Sequence, residues 1–148
     1  MQISSILKPG AVRVIGAVSS KKRLFQDLGD LAQTVYGLST EECIHALLTR
    51  EALGPTGVGH GVALPHARLK NIDQICGLFI RLEKPLEFAA VDKKPVDLIF
   101  TLFAPDGSGV DHLKALALVS RTLRDSMVYK KLRSSQGAAT LFSILEAG

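Results

Sequence analysis

Residues 50–68 hold the side chains best suited to chemistry in this chain of 148 residues. They read Arg-Glu-Ala-Leu-Gly-Pro-Thr-Gly-Val-Gly-His-Gly-Val-Ala-Leu-Pro-His-Ala-Arg. A neutral imidazole such as that of His66 is a nucleophile near pH 7. A nearby arginine can bind phosphate oxygens through two N–H groups, and glycines let backbone N–H groups approach an anion closely. The segment therefore favours a histidine that carries a phosphoryl group.

Other chemistries fit the same segment less well. A Walker A loop needs a lysine and a serine or threonine after the glycines, and a serine hydrolase of the nucleophile-elbow type needs Gly-x-Ser-x-Gly. His60 and His66 lie six positions apart, and no cysteine or carboxylate completes a zinc pattern with them. A metal site stays open only if the fold gathers these histidines with His45 and His112. Purely structural roles also stay open, because glycine clusters often form tight turns.

The elements that precede this segment are predicted to be one strand and two helices. Alternating apolar residues indicate a short strand at residues 12–14. Ser19 or Ser20 is predicted to cap a helix that ends at Gly37, and Ser39, with a glutamate three positions later, has the spacing of a capping box for a second helix. The first helix has its apolar positions on one face: Leu24, Leu28, Leu31, Ala32 and Val35.

The elements after the second helix are predicted to build the sheet and a further layer of helices. The glycines at 54–61 indicate a loop that leads into a short strand ending near Pro65. Ile75–Leu82 and Val96–Phe103 are predicted to be buried strands. Asp111 is predicted to cap a helix with apolar positions at Leu113, Leu116, Ala117 and Leu123. The tail, residues 128–145, is predicted to be helical with a break near residue 137. Together these elements predict an α/β (α+β) sandwich in which helices flank a mixed central sheet. The whole chain, residues 1–148, is predicted to be one domain.

Composition excludes several classes of protein. The chain is 47% apolar, so disorder is not expected. No apolar run approaches the roughly 18 residues of a membrane span, and the N-terminus lacks a signal-peptide pattern, so the sequence predicts a cytoplasmic protein without membrane insertion. Cys43 and Cys76 are expected to be reduced and buried. The net charge of +4 comes with basic clusters at 21–23 and 130–133, but sparse aromatic residues and the lack of a DNA-binding motif give nucleic-acid binding no support.

The order of residues around His66 resembles a known active-site segment. Glu51, six further residues and then Val-Gly-x-x-Val-Ala-Leu-Pro-His-Ala, from Val58 to Ala67, is similar to that segment in the fructose/mannitol/nitrogen-type IIA family of bacterial phosphotransferase systems. The resemblance extends over nearly the whole chain. The residues Ser20–Arg23 and the expected absence of fused IIB, IIC or carrier domains resemble the nitrogen-regulatory branch.

The resemblance implies a role for each matching residue. His66 is expected to carry the phosphate, His112 to help hold the active imidazole and its phosphate, and Arg50 to counter the phosphate charge. Backbone N–H groups of three glycines are expected to contact phosphate oxygens: Gly57, Gly59 and Gly61. Arg68 is expected to contact them as well, because it lies close to His66 in the sequence.

Two residues of this segment depart from the family pattern. Pro55 stands where the family commonly has serine, and His60 stands where asparagine is frequent. Because proline lacks a backbone N–H group, contacts of the loop with phosphate are expected to differ there.

The resemblance also implies partners. An HPr-like phosphocarrier is the expected donor, with no metal or nucleotide cofactor, since the donor phosphohistidine is already activated. Regulated targets such as potassium-transport or sensor-kinase components are expected in the nitrogen-type branch. Two alternatives remain: a stand-alone sugar-transport IIA that passes phosphate to a IIB cysteine, and a IIA-like binding module whose histidine is not phosphorylated.

Overall fold

The computed structural model describes residues 1–148, and its centre is one mixed sheet of six strands. The strands are β1 (Leu7–Ile15), β2 (Gly57–Gly59), β3 (Val62–Ala63), β4 (His66–Leu69), β5 (Cys76–Leu86) and β6 (Val96–Pro105). Their order is β1-β5-β6-β3-β2, and β4 pairs with β6 beyond the end of β3. β1 runs parallel to β5, β5 antiparallel to β6, and both β3 and β4 parallel to β6.

Five α-helices and a short 3-10 turn, Ile3–Ser5, complete the chain. The helices are α1 (Lys21–Tyr36), α2 (Thr40–Glu51), α3 (Val110–Arg124), α4 (Ser126–Ser134) and α5 (Ala138–Ala147). α1 packs against α2, α4 packs against both α3 and α5, and both groups contact the sheet. None of these helices has the length and hydropathy that crossing a bilayer requires. The predicted fold, a mixed sheet flanked by helices, is confirmed.

The two central strands explain why helices are needed on both faces of the sheet. Every residue of β6 from Leu98 to Ala104 is buried, including those that point to opposite faces. Strands that are buried on both faces read as nearly continuous apolar runs, and β5 and β6 have this pattern. The core therefore lies on both sides of the sheet.

Local signals in the sequence set both ends of α1 and the start of α2 as predicted. The Ser20 hydroxyl accepts a hydrogen bond from the backbone N–H of Arg23 at 3.0 Å, and Gly37 ends α1 in the left-handed region at φ 71°. Ser39 accepts from the backbone N–H of Glu42 at 3.3 Å at the start of α2. Each hydroxyl satisfies an N–H group that has no partner within its helix.

The predicted cap of α3 was wrong. The helix begins one residue before Asp111, and Gly109 precedes it at φ 44° without a side-chain cap. The turn after β6 needs this positive φ, which places the flexible glycine, and not the aspartate, at the helix entrance. The predicted apolar face of α3 was also partly wrong, because Leu113 and Ala117 are exposed. The buried positions of the helix are His112, Ala115, Val119, Thr122 and Leu123.

The glycine-rich stretch is a hairpin, where the sequence predicted a loop. β2 pairs with β3, and the two residues between them, His60 and Gly61, have φ values of 57° and 77°. Two successive positive φ values are the geometry of a tight hairpin turn, which favours Asn-Gly and accepts histidine at the first position at some cost. The chain also continues as a strand after Pro65, since β4 pairs with β6 from His66 onward.

Candidate functional site

A cavity of about 400 Å³ opens where β4, the end of α2 and the start of α3 meet. β4, at the edge of the sheet, forms one wall of the cavity. The cavity is lined by His45, Ala46, Thr49, Arg50, Leu53, His66, Ala67, Arg68 and His112. Four residues that the sequence assigned to the phosphate site thus come together, although they belong to three different elements: Arg50, His66, Arg68 and His112.

His66 is held by a short contact with the two-residue segment that joins β3 to β4. Its Nδ1 lies 2.7 Å from the carbonyl oxygen of Leu64. A carbonyl only accepts hydrogen bonds, so Nδ1 carries the proton and Nε2 of the neutral ring keeps its lone pair. Burial lowers the pKa of His66, and the charge of Arg50 lowers it further. The bond to Leu64 and the charge of Glu51 oppose this, and the net shift of the pKa is downward. The ring is therefore neutral and nucleophilic at pH 7.

His112 lies beside His66 on the first turn of α3. The two rings are 5.8 Å apart at an angle of 68°. His112 is only 5% exposed, its Nδ1 is 3.2 Å from Nε of Arg68, and its Nε2 is buried without a hydrogen-bond partner in the protein. Burial, followed by the charges of His66 and Arg68, lowers the pKa of His112. A buried N–H group without a partner costs roughly 1–3 kcal/mol, which marks Nε2 as a place for an incoming acceptor.

Arg50 comes from the last turn of α2. Its Nη1 donates to the carbonyl oxygen of Gly54 at 3.0 Å, which ties the guanidinium to the turn that follows the helix. This bond uses one of five N–H donors, and the side chain lines the cavity with the others available. Arg50 thus brings a positive charge close to His66.

Glu51, next to Arg50 at the end of α2, has a structural role that the sequence did not reveal. Its carboxylate accepts from the backbone N–H of Thr56 at 3.0 Å and from the hydroxyl of Thr56 at 2.6 Å. Lys21 of α1 forms an ion pair with it at 2.9 Å, and the Glu51 side chain is 8% exposed. These bonds join α1, the end of α2 and the segment before β2. The only sign of this role in the sequence was that Glu51 is the acidic residue at the start of the motif.

The structure does not bring the three glycines to His66. A Cβ on Gly57 would lie 2.6 Å from the Cβ of Ala90, and a Cβ on Gly61 would overlap Arg133. Along β6, the hairpin pairs with Leu98 and Ile99 while His66 pairs with Leu102, a separation of three to four residues or roughly 10–13 Å. Gly57, Gly59 and Gly61 do not line the cavity, so we leave them out of the phosphate site.

The remaining histidines divide between the cavity and the hairpin. His45 lines the cavity, and sequence reasoning assigned it no role in phosphate binding; its place on the same stretch of α2 as Arg50 was the available signal. His60 instead stacks on Tyr129 at 5.7 Å between ring centroids. No group of three histidine, cysteine, aspartate or glutamate side chains is placed to hold a metal ion.

Comparisons with known proteins give matches along nearly the whole chain. Residues 5–148 match the family described as phosphoenolpyruvate-dependent sugar phosphotransferase system, EIIA 2. A nitrogen regulatory protein of Bradyrhizobium diazoefficiens is 45% identical over 145 residues, covering 98% of this chain and 95% of that protein. One from Klebsiella oxytoca is 38% identical over 150 residues, covering 100% of this chain and 93% of that protein. The crystal structure of the nitrogen regulatory protein IIA-Ntr from Neisseria meningitidis superposes with a TM-score of 0.89 at 37% identity, covering 97% of this chain and 98% of that one.

Proposed function

Because the chain belongs to the EIIA 2 family of the phosphoenolpyruvate-dependent sugar phosphotransferase system, we propose that it carries a phosphoryl group on Nε2 of His66. The proposed donor is an HPr-like phosphocarrier. The proposed output is regulation, in which target proteins distinguish the phosphorylated from the unphosphorylated form.

The contact between His66 and Leu64 is the observation that carries this proposal. Since Nδ1 donates to the Leu64 carbonyl at 2.7 Å, the lone pair of Nε2 is the nucleophile. In the transfer, Nε2 forms a new nitrogen–phosphorus bond while the bond to the donor imidazole breaks. The donor imidazole leaves with the electron pair of that bond. As positive charge grows on the His66 ring, the Leu64 carbonyl stabilises the proton on Nδ1.

His112 and Arg50 are the proposed ligands of the phosphoryl oxygens. The buried Nε2–H of His112 has no partner in the protein, and Arg50 has N–H donors to spare beyond its bond to Gly54. Transfer of a phosphoryl group depends mainly on positioning and charge neutralisation, which these residues supply. Such a site needs no metal or nucleotide, because the donor is already activated.

Exposed apolar residues at the rim of the cavity fit a transient partner. Leu53 is 82% exposed and lines the cavity, while Leu113, next to His112, is 64% exposed. Single apolar side chains around a charged centre suit a small interface that forms and dissociates quickly. We assign this rim to the HPr-like donor.

The regulatory output rests on the comparisons and on charge. The nitrogen regulatory relatives are 45% and 38% identical to this chain, whereas a fructose-specific EIIABC component that matches 98% of the chain is 23% identical, which favours the nitrogen regulatory branch over sugar transport. Phosphate adds close to two negative charges to a cavity lined by Arg50 and Arg68, so the face around His66 changes its charge when His66 is phosphorylated. Potassium-transport and sensor-kinase components are the proposed targets. We place this exchange in the cytoplasm, in line with two buried and unpaired thiols, Cys43 and Cys76.

Sugar transport is the second candidate, because the matched family is described by a sugar system. In that case the phosphate would pass from His66 to a IIB cysteine. A deletion strain separates the two outcomes. Lost uptake of a phosphotransferase sugar, restored by the wild-type chain but not by His66→Ala, would favour transport over regulation.

Phosphorylation itself is tested by mass spectrometry. The pure protein is incubated with phosphoenolpyruvate, enzyme I and an HPr-type carrier, beside His66→Ala as the matched control. We expect one phosphate per wild-type chain, labile in acid and stable in base, and none on the variant. A wild-type chain that gains no phosphate from either sugar-type or nitrogen-type donors would refute the proposal and favour the binding-module alternative.

A further inference from the structure

We propose that Arg68 is a positioning residue for His112. Its Nε–H donates to Nδ1 of His112 and thereby keeps the imidazole proton on Nε2, where it can meet a phosphoryl group on His66. This inference rests on the proposed function, and it changes the role expected for Arg68 from a phosphate ligand to a residue that acts through its neighbour.

The bond between Arg68 and His112 determines which nitrogen carries the proton. Nε of Arg68 lies 3.2 Å from Nδ1 of His112, and a guanidinium can only donate. Nδ1 must then offer its lone pair, so the single proton of the neutral ring is on Nε2. The hydrogen bond made by one ring nitrogen sets the state of the other.

The strand geometry places Arg68 where it can do this. Arg68 and His66 are two residues apart on β4, so their side chains leave the same face of the strand. His112 lies against both of them from α3, with its ring 5.8 Å from that of His66. One short strand therefore presents the nucleophile and the residue that orients the second histidine.

His112 is kept from taking up a second proton. Burial is the main cause of its lowered pKa, and the two groups whose charges act on it, His66 and then Arg68, lower the pKa further. The neutral ring has one buried N–H, on Nε2, which has no partner in the protein. Without Arg68, the single proton of the neutral ring could lie on either nitrogen. Nε2 would then no longer be fixed as the donor.

Two variants of equal length separate positioning from charge. In Arg68→Gln the amide nitrogen occupies the place of Nε, so the donor is kept while the charge is lost. In Arg68→Met a methyl group occupies that place, so both are lost. Arg68 is exposed, which makes both variants compatible with folding, and thermal melting of each variant checks this.

Two readouts are compared in wild type and both variants. The first is nitrogen NMR of 15N-histidine-labelled, unphosphorylated protein between pH 6 and 8, which reports the protonation of each His112 nitrogen. The second is the rate of phosphoryl transfer from an HPr-type donor. We expect Arg68→Met to let the single ring proton of neutral His112 occupy Nδ1 as well as Nε2 in this range, and to slow transfer by about tenfold. Arg68→Gln is expected to keep Nδ1 unprotonated and to transfer within about threefold of the wild-type rate.

The outcomes that overturn the proposal differ from the one that overturns the phosphocarrier function. Equal slowing by both variants, with His112 unchanged in the NMR spectra, would make Arg68 a direct phosphate ligand. Unchanged transfer in both variants would leave Arg68 without a role in the reaction. Loss of the proposed function would instead appear as wild-type protein that accepts no phosphate, while the NMR spectra would still report the state of His112.

Discussion

The imidazole rings of His66 and His112 lie 5.8 Å apart, one on a sheet edge and the other on the first turn of a helix. In this pair His66 has a free lone pair on Nε2, because Nδ1 donates to Leu64. His112 has a buried Nε2 without a partner. One ring is thus prepared to bond phosphorus, and the other is prepared to bind an oxygen of the same group.

Removal of the His112 donor should slow phosphoryl transfer. His112→Leu keeps most of the buried volume and removes both ring nitrogens. We expect transfer from an HPr-type donor to slow by roughly 10- to 100-fold, or about 1.5–3 kcal/mol, the range of a hydrogen bond to a charged group. Rapid-quench measurement of phosphoprotein formation gives the rate.

His60→Asn is the matched control for His112→Leu. His60 stacks on Tyr129 at the hairpin, away from the cavity, and asparagine suits its positive φ. A control that slows transfer as much as His112→Leu would show that the effect of the latter is not local to the site.

Loss of Arg50 should change both the pKa of His66 and the transfer rate. Because the charge of Arg50 lowers the pKa of His66, Arg50→Met is expected to raise that pKa. It should also slow phosphate acceptance by about tenfold or more, since a charged donor beside the phosphoryl group is lost. NMR titration of the His66 ring and the transfer assay measure the two effects.

Arg13→Met serves as the control for a general effect of charge. The side chain of Arg13 donates its hydrogen bonds to carbonyl oxygens of its own strand, those of Gly10 and Val12, and does not line the cavity. If both arginine variants shift the pKa of His66 equally, the local role of Arg50 is refuted.

Substitution in the two-residue hairpin turn should change the stability of the chain but not its phosphoryl transfer. Gly61 has a φ of 77°, and an added Cβ would overlap Arg133, so Gly61→Ala is expected to lower the free energy of unfolding by about 1–3 kcal/mol. Gly10→Ala is the control, because no atom lies within 4 Å of its added Cβ, and a change within about 0.5 kcal/mol is expected. Urea unfolding measures both.

Phosphate acceptance per folded Gly61→Ala chain should match that of wild type. A loss of acceptance would indicate that the glycines do take part in the phosphate site.

The two histidines should make stability depend on pH. Their pKa values in the folded chain lie below the ordinary value of 6.5, chiefly because of burial, whereas in the unfolded chain they return to it. As the pH falls below about 6.5 the unfolded chain therefore binds more protons, and the free energy of unfolding falls; above about pH 7.5 these groups contribute no slope. Urea unfolding from pH 5 to 8 tests this. The double variant His66→Gln, His112→Gln should have a shallower slope, and an unchanged slope would refute the assignment.

Sequence patterns were most informative where a local rule or an ordered motif applies. Ser20, Gly37 and Ser39 act at helix ends through contacts with residues a few positions away, so the chain itself predicts them. The ordered motif pointed to His66 and Arg50, which the structure brings to one cavity.

Long-range register was the information that the sequence lacked. The glycine hairpin and His66 adjoin in the chain, yet pairing with β6 separates them along the sheet, which removed the glycines from the cavity. The bond from Arg68 to His112 depends on how α3 packs against β4, and no spacing in the sequence encodes that contact. Asp111 failed as a cap because Gly109 meets the backbone geometry of the preceding turn.

The proposed function depends above all on a phosphoryl group bound to Nε2 of His66. The most direct test is NMR of 15N-histidine-labelled protein after phosphorylation by phosphoenolpyruvate, enzyme I and an HPr-type carrier, with coupling to phosphorus identifying the bonded nitrogen. We expect one phosphate per chain, coupled to Nε2 of His66, with Nδ1 still protonated and donating to Leu64. Phosphate on Nδ1 of His66, on another residue, or on none would refute the assignment to Nε2.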